Sequence, residues 1–475
     1  MSTRRNAMYN VAYRVFSVLL PLVTAPYLSR VAGQEGVGLY SYAWSISEIF
    51  VIIGTLGLTD YGVRAIARVR DDQAELNRTF SEVFRMQLLV AGVTLLGWLG
   101  YVAFVAGAEQ QIALHLTLMS ASCLINLDWV LMGLDQFKPI ALRNTLVKLA
   151  AAGAVFLFVK GPGDLWIYGL VWSLATVLGC LLCWPGVKKR VRLVPVTWGA
   201  AVKHFGPCAV LLLSVLAVRV YRTMDKVMVG ALAGMAQNGL YENAEKIVYC
   251  LSGFISAIGT VLMPKAAHLL AQGKEEKIRG RMASSMDVIL CMTGAMAFGL
   301  AAVAGDFAPL FYGEDFAYSG LLMIPLGFTL MMIGFANVVR TQWILPHGRD
   351  GYVVRCVTTG AVVNVILNAL LIPRMGAMGA VIGTLAAEMS VPTVQFLLLR
   401  KELPYGLYVK KLLIYVAAGV AMMLTVRLIA PMLPEGWLGL MVQVALGAAV
   451  YGAACLVLWK LTGNRSVLNL IKRRA

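Results

Sequence analysis

Charge is scarce in this sequence. Only 14% of its 475 residues are Asp, Glu, Lys or Arg, while 59% are hydrophobic, and the mean hydropathy is +0.76. So little charge excludes a string of soluble domains and makes the chain a polytopic membrane protein. Acids are rarer than bases, 24 against 41, which leaves a net charge of +17. That excess is not a nucleic-acid footprint, because the basic residues sit in short loops between apolar runs and no RNA- or DNA-binding motif accompanies them. A disulfide framework is missing too. Cys123, Cys180, Cys183, Cys208, Cys250, Cys291, Cys356 and Cys455 nearly all lie in or at the ends of apolar runs. Cys180 and Cys183 are three apart, but no second ligand pair follows, so they read as small packing residues and no metal site is expected. No cleavable signal is expected: the run opening near Met8 continues to Val31 without a short apolar core and cleavage site, and reads as a retained first helix.

What is present is a series of apolar runs of about 20 residues, the length that crosses a bilayer as a helix. Fourteen occur, near 8–31, 38–61, 82–106, 111–132, 140–160, 164–185, 205–231, 240–264, 285–305, 320–345, 352–372, 376–399, 411–431 and 437–459. The expected fold is all-α, with a six-helix bundle over 1–204, a second over 205–400, and two further spans with a basic tail over 401–475. With the N-terminus inside, the inner segments hold 29 Lys and Arg and the outer segments three. That imbalance predicts both termini in the cytoplasm. The cationic loops suit anionic inner-leaflet lipids.

The chain carries an internal echo. Val31 to Ala43 (VAGQEGVGLYSYA) and Leu232 to Ala244 (LAGMAQNGLYENA) match at six positions with a constant offset of 201 residues. Each copy sits between two apolar runs, the mark of a duplicated transporter fold.

Several charges fall inside the runs. Arg219, Arg222 and Lys226 share one helical face, with Asp225 beside them. Each cation facing lipid would cost at least about 2.5–3.5 kcal/mol, so the face must meet water, a counter-charge or a ligand. Arg14, Lys148, Lys246 and Arg340 are also embedded, while Arg85 and Arg427 lie near interfaces and can snorkel. Embedded acids include Glu48, Asp128, Asp225, Glu242, Glu245 and Glu388. Any one acid could equally pair within the protein. The surplus of cations nonetheless predicts a positive cavity for an anionic substrate. Glu48 and Glu388, close to mid-span in the two halves, and Asp225 are the candidates for coupling to H⁺ or Na⁺. On the second span, Ser41, Ser45, Glu48, Thr55 and Thr59 form a polar stripe. Pro21, Pro26 and Pro207 permit bending of the first and seventh spans; a static kink is the alternative.

PYLSRVAGQEGVGLYSYAWSI, GLTDYGVRAIARVR, TMDKVMVGALAGMAQNGLYENAEKI and NVILNALLIPRMGAMGAVIGTLAAE resemble segments of the Wzx-type polysaccharide flippases, over about Asn6 to Leu399. The resemblance implies the wider superfamily of oligosaccharide-lipid exporters and drug antiporters, in which two six-helix bundles form a V around a central cavity. It also implies the substrate, an undecaprenyl-pyrophosphate-linked oligosaccharide moved across the bacterial cytoplasmic membrane, with other polysaccharide assembly proteins as prospective partners. No cofactor or catalytic residue is implied. By motif position, Arg14 and Arg30 match basic residues of the family's first span and Arg64 one at the end of its second. With Lys148, Arg219, Arg222, Lys226 and Lys246 they make up the expected substrate-binding set, since arginine offers a pyrophosphate a planar fork of donors.

Rival readings fit less well. A drug antiporter of the same superfamily would have twelve spans and an acidic cavity. A lipid II flippase shares the cationic cavity but not the GLYSYA-type wording. A membrane glycosyltransferase would need catalytic groups outside, yet the longest outer segment, about Gly305 to Ser319, offers only Asp306, Glu314 and Asp315. An ion channel would build a symmetric ring of pore charges.

Overall fold

The computed structural model describes residues 3–462, with side chains described for 20–212, 216, 223–259 and 262–462. Every regular element among these residues is a helix. In hydrocarbon that follows, because each backbone N–H and C=O must find its partner inside the segment. The chain divides into two units, Met1–Gly239 and Leu240–Ala475.

The first unit contains α1 (Thr3–Thr55), α2 (Leu58–Val69), α3 (Gln73–Phe104), α4 (Gln110–Ala121), α5 (Asp128–Gly133) and α6 (Phe137–Phe158). It continues through α7 (Leu165–Leu181), α8 (Trp184–Lys188), α9 (Trp198–Val202) and α10 (Phe205–Ala233), and takes in the first turn of α11 (Met235–Ala271). The second unit holds the rest of α11, then α12 (Glu275–Tyr312), α13 (Ala317–Val339), α14 (Asp350–Met375), α15 (Ala377–Leu399), α16 (Tyr405–Ile429) and α17 (Trp437–Thr462). Twelve segments among the described residues are long and apolar enough to cross a membrane, and the first, Leu20–Val69, holds most of two expected spans. The seventh expected span is α10, 29 residues long.

Inside α1 the chain bends at Gly33 (φ 67°, ψ −177°), and α10 gives way to α11 at Gly234 (φ 90°, ψ 166°). Both glycines lie in a backbone region that L side chains do not enter. They occupy equivalent positions of the sequence repeat, so the echo has a conformational cause: each copy must turn one helix into the next at a residue without a Cβ.

Two expected spans are interrupted within their apolar runs. The second stops at Thr55, because Leu56 (φ 42°) and Gly57 (φ 68°) take the left-handed region, through which an α-helix does not continue. Thr59 therefore sits on α2, off the stripe of Ser41, Ser45, Glu48 and Thr55. α2 is amphipathic, burying Leu58, Gly62 and Ile66 at successive turns. The fourth span breaks between α4 and α5. Its freed carbonyls are met from elsewhere: Gln87 Nε2 donates to the oxygens of Cys123 (2.7 Å) and Asn126 (2.9 Å), and Trp184 Nε1 donates to that of Ile125 (2.9 Å). Irregular backbone at this depth is tolerated when protein donors replace the missing helical ones.

In the second unit α12 packs against α13, α16 and α17, and α14 against α15. Met282, Met286, Ile289, Tyr415, Tyr451 and Trp459 belong to one buried core, so the last two spans are built into it. Lys411 on α16 is buried there, forming an ion pair with the fully buried Asp287 of α12; Tyr415 Oη also donates to Asp287 (3.2 Å).

Candidate functional site

α1 carries two of the first unit's expected charged positions. It packs against α3, α4, α6 and α10, and Tyr27 Oη anchors it to the Val159 carbonyl at the end of α6 (2.6 Å). α1 carries Arg30, which is exposed, and Glu48, which is half-buried. α10 carries Asp225, buried, and Lys226, half-buried, one to two turns from Gly230. Gly230 lies so close to α1 that a Cβ there would sit 2.5 Å from the Tyr42 ring. The two helices are therefore in intimate contact along the stretch bearing these charges. The side chains of Arg14 on α1 and of Arg219 and Arg222 on α10 lie outside the described ones.

The two copies of the repeat meet nearby. Gly38 of α1 faces Gly239 at the start of α11, and the buried Asn238 donates its amide to the Gly38 carbonyl (2.8 Å).

The remaining expected site residues are distributed. Arg64 is exposed on the solvent face of α2. Lys148 is half-buried on α6, lining a cleft with Asp128 and Arg143. In the second unit, Lys246 pairs with Glu242 one turn earlier on α11 (3.1 Å), an orientation favoured along a helix. Glu388 is half-buried on α15, one turn beyond Thr384, whose hydroxyl bonds to Tyr241 Oη (3.2 Å). Of the two cations expected to snorkel, Arg85 instead bonds the Val196 carbonyl and stacks on the Trp198 ring at 4.1 Å. Arg427 Nη2 donates to the Ala301 carbonyl (2.7 Å).

Sequence reasoning missed two polar clusters of the first unit. Glu82, buried near the start of α3, receives Arg78 Nε (3.1 Å), Lys203 Nζ (2.7 Å) and His204 Nε2 (3.0 Å). His204 in turn meets Tyr61 Oη on α2. The cluster ties the entry of α10 to α2 and α3. Only the Arg78–Glu82 spacing hinted at it; the other partners are far away in the chain. The second centres on Arg143, which sequence reasoning did not single out; it lies most of two turns inside α6 and pairs with Asp128 (3.0 Å).

A duplicated, all-helical bundle of membrane spans with cations built into it defines a transporter fold. The chain aligns with a lipid II flippase in an inward-closed conformation at a TM-score of 0.74 and 13% identity, covering 96% of this chain and 99% of that one. An inward-facing multidrug transporter aligns at a TM-score of 0.58 and 15% identity, over 84% and 94%. The polysaccharide biosynthesis protein family accounts for residues 3–269, more than half of the chain, and the chain belongs to that family. A protein of Escherichia coli (strain K12) named as an O-antigen transporter is 20% identical over 406 residues, 85% of this chain and 98% of the relative. One of Haloferax volcanii named as a low-salt glycan biosynthesis flippase is 22% identical over 265 residues, 56% of this chain and 55% of the relative.

Proposed function

We propose that this protein is a flippase carrying undecaprenyl-pyrophosphate-linked oligosaccharide across the bacterial cytoplasmic membrane by alternating access. The observation that carries the reading is its family together with its near full-length relationship to a protein named as an O-antigen transporter. Solved relatives at 13–15% identity support the fold alone, so the choice of a polysaccharide intermediate over lipid II or a drug rests on the family.

In this reading the N-terminal bundle (1–204) and its repeat (205–400) rock about the substrate, and 401–475 adds two spans and a cytoplasmic tail. Both termini face the cytoplasm. Arg14, Arg30, Arg64, Lys148, Arg219, Arg222, Lys226 and Lys246 supply the positive field that draws the pyrophosphate out of water. Arginine suits this task because its planar fork donates two parallel hydrogen bonds. Glu48, Asp225 and Glu388 are the groups through which H⁺ or Na⁺ would drive the cycle. Other polysaccharide assembly proteins would supply the substrate and receive it.

The test is binding of undecaprenyl pyrophosphate to purified, folded Arg219→Gln and Arg222→Gln proteins. Losing one charge-assisted contact, worth about 1.5–3 kcal/mol, should weaken binding roughly 10- to 150-fold, and Arg→Lys should rescue it only in part. Wild-type affinity in both variants would remove α10 from the substrate site.

A further inference from the structure

The chain between α8 and α10 is bound to α3 by a ladder of side chains. Gln73, Asn77, Ser81 and Arg85 stand four residues apart on α3 and so share one face of it. Each bonds the backbone of 190–196, and each meets the second residue along from the one before. Gln73 Nε2 donates to the Arg190 carbonyl (2.9 Å), the Arg192 N–H donates to Asn77 Oδ1 (2.8 Å), and the Val194 N–H donates to Ser81 Oγ (2.9 Å). Arg85 Nη1 donates to the Val196 carbonyl. Four residues of helix rise about 6.0 Å and two residues of extended chain about 6.4–6.8 Å, so the two spacings match. The small excess accumulates toward the ends of the ladder. There it uses its longest side chains, Gln73 and Arg85, while the short Asn77 and Ser81 occupy the middle.

The segment 191–197 (VRLVPVT) forms neither helix nor turn. Pro195 disfavours a helical Val194 and has no N–H, and it falls between two rungs, where none is needed. Val191, Ala201 and Cys208 are buried in the same core as Leu76, Phe80 and Val83 of α3. A second fastening follows. Lys203 and His204, the last residues before α10, both bond the buried Glu82 of α3, and His204 holds Tyr61 of α2. Further on, Gly57 approaches α10 so closely that a Cβ would lie 3.0 Å from the Cys208 carbonyl oxygen and 3.1 Å from the Leu212 nitrogen. Pro207 stands in the first turn of α10, where its missing N–H would have had no helical partner, so the helix runs on unbroken.

We propose that 190–204 is a strap that keeps the first two turns of α10 on the first bundle throughout the transport cycle. The joint between the moving bodies then lies inside α10, past Leu212, and neither in the connecting segment nor at Pro207. Gln73, Asn77, Ser81, Glu82 and Arg85 are positioning residues: they set where the helix bearing Asp225 and Lys226 begins. The cycle is that of the transport reading, on which this inference rests; the strap itself is measured without turnover.

Amide hydrogen exchange on the purified full chain in lipid nanodiscs reads the strap directly. The Arg192 and Val194 amides should exchange on the order of 100-fold more slowly than free chain, or slower still, which leaves the strap open about 1% of the time at most. Asn77→Ala/Ser81→Ala removes two bonds and should speed their exchange at least about tenfold. Asn77→Ala alone, at a half-buried position, serves if the double variant fails to fold. A second arm locks the strap. Arg78→Cys/Lys203→Cys, made with Glu82→Gln so that no carboxylate is stranded, is bridged by a short bis-thiosulfonate reagent. Its transport of a defined undecaprenyl-pyrophosphate-linked oligosaccharide is compared with that of the same protein after reduction. A contact that never opens costs nothing to bridge, so the two rates should agree within about twofold. Wild-type exchange as fast as free chain, wild-type exchange rates in a folded variant, or a fall of about tenfold or more on bridging that reduction restores would overturn the proposal. No transport by the wild type contradicts the transport reading instead; then, as when the reduced variant is itself inactive, the exchange result decides the strap.

Discussion

Gly38 and Gly239 make the same contact twice. A Cβ on Gly38 would fall 1.7 Å from the carbonyl oxygen of Met235, and one on Gly239 would fall 2.0 Å from the carbonyl oxygen of Gln34. Met235 is the repeat equivalent of Gln34, and Gly239 that of Gly38. Each copy therefore presses its glycine onto the same backbone carbonyl of the other. Small residues allow such close approach between membrane helices, where dispersion and weak polar contacts replace the hydrophobic effect.

Gly38→Ala and Gly239→Ala should each destabilise the protein by about 1–3 kcal/mol or more, because the obstacle is backbone and cannot rotate away. The control is Gly92→Ala on α3, where a Cβ meets nothing within 4 Å. Helix propensity there favours alanine by up to about 1 kcal/mol. Thermal melting of the three purified variants checks this: the first two should melt below the wild type and the third at or above it.

Gln87 should be as sensitive as any apolar core residue. It is buried, donates to two carbonyls freed by the break in the fourth span, and accepts from Trp129 Nε1 (3.0 Å). Gln87→Leu keeps the bulk but leaves an indole N–H and two carbonyls unpaired, each costing about 1–3 kcal/mol. The expected result is a fall of several kcal/mol, read as a lower melting temperature and a smaller monodisperse fraction after purification.

These two positions also show what the sequence could and could not disclose. The repeat was legible because backbone requirements at Gly33, Gly38, Gly234 and Gly239 tolerate no side chain, so the duplication kept its letters there. The spans were legible because hydrocarbon demands uninterrupted apolar length. The break at 125–127 was not, since Ile125 and Leu127 continue an apolar run, and its compensating donors, Gln87 and Trp184, are 39 and 59 residues from the carbonyls they serve. Glu82 and Asp287 were missed for the same reason: Lys203 and Lys411, which neutralise them, lie more than a hundred residues further on. Position in a span can be read locally; a counter-charge across a bundle cannot.

The turn between α15 and α16 should make acid stability depend on one carboxylate. Burial pushes the Glu402 carboxyl up, but hydrogen bonds from Arg349 (2.7 and 2.8 Å) and Trp343 (3.0 Å) outweigh it and hold the group below the ordinary value of 4.5. A carboxylate depressed by folding stabilises the native state above its unfolded pKa, and that contribution is lost as pH falls through the folded value. Melting temperatures of the wild type and Glu402→Gln should differ most near neutral pH. The gap should close as pH falls below about 4.5. A gap that widens on acidification would reverse the sign of this account.

The most direct test of the account is transport itself. Purified protein is reconstituted into vesicles with a defined undecaprenyl-pyrophosphate-linked oligosaccharide on one leaflet, and its appearance on the other is followed with and without imposed H⁺ or Na⁺ gradients. The account predicts translocation that requires the protein, is steepened by one of the gradients, and falls in Arg219→Gln and Arg222→Gln. Translocation no faster than in protein-free vesicles, from wild-type protein shown to be folded and offered a substrate of its own cell, would contradict it.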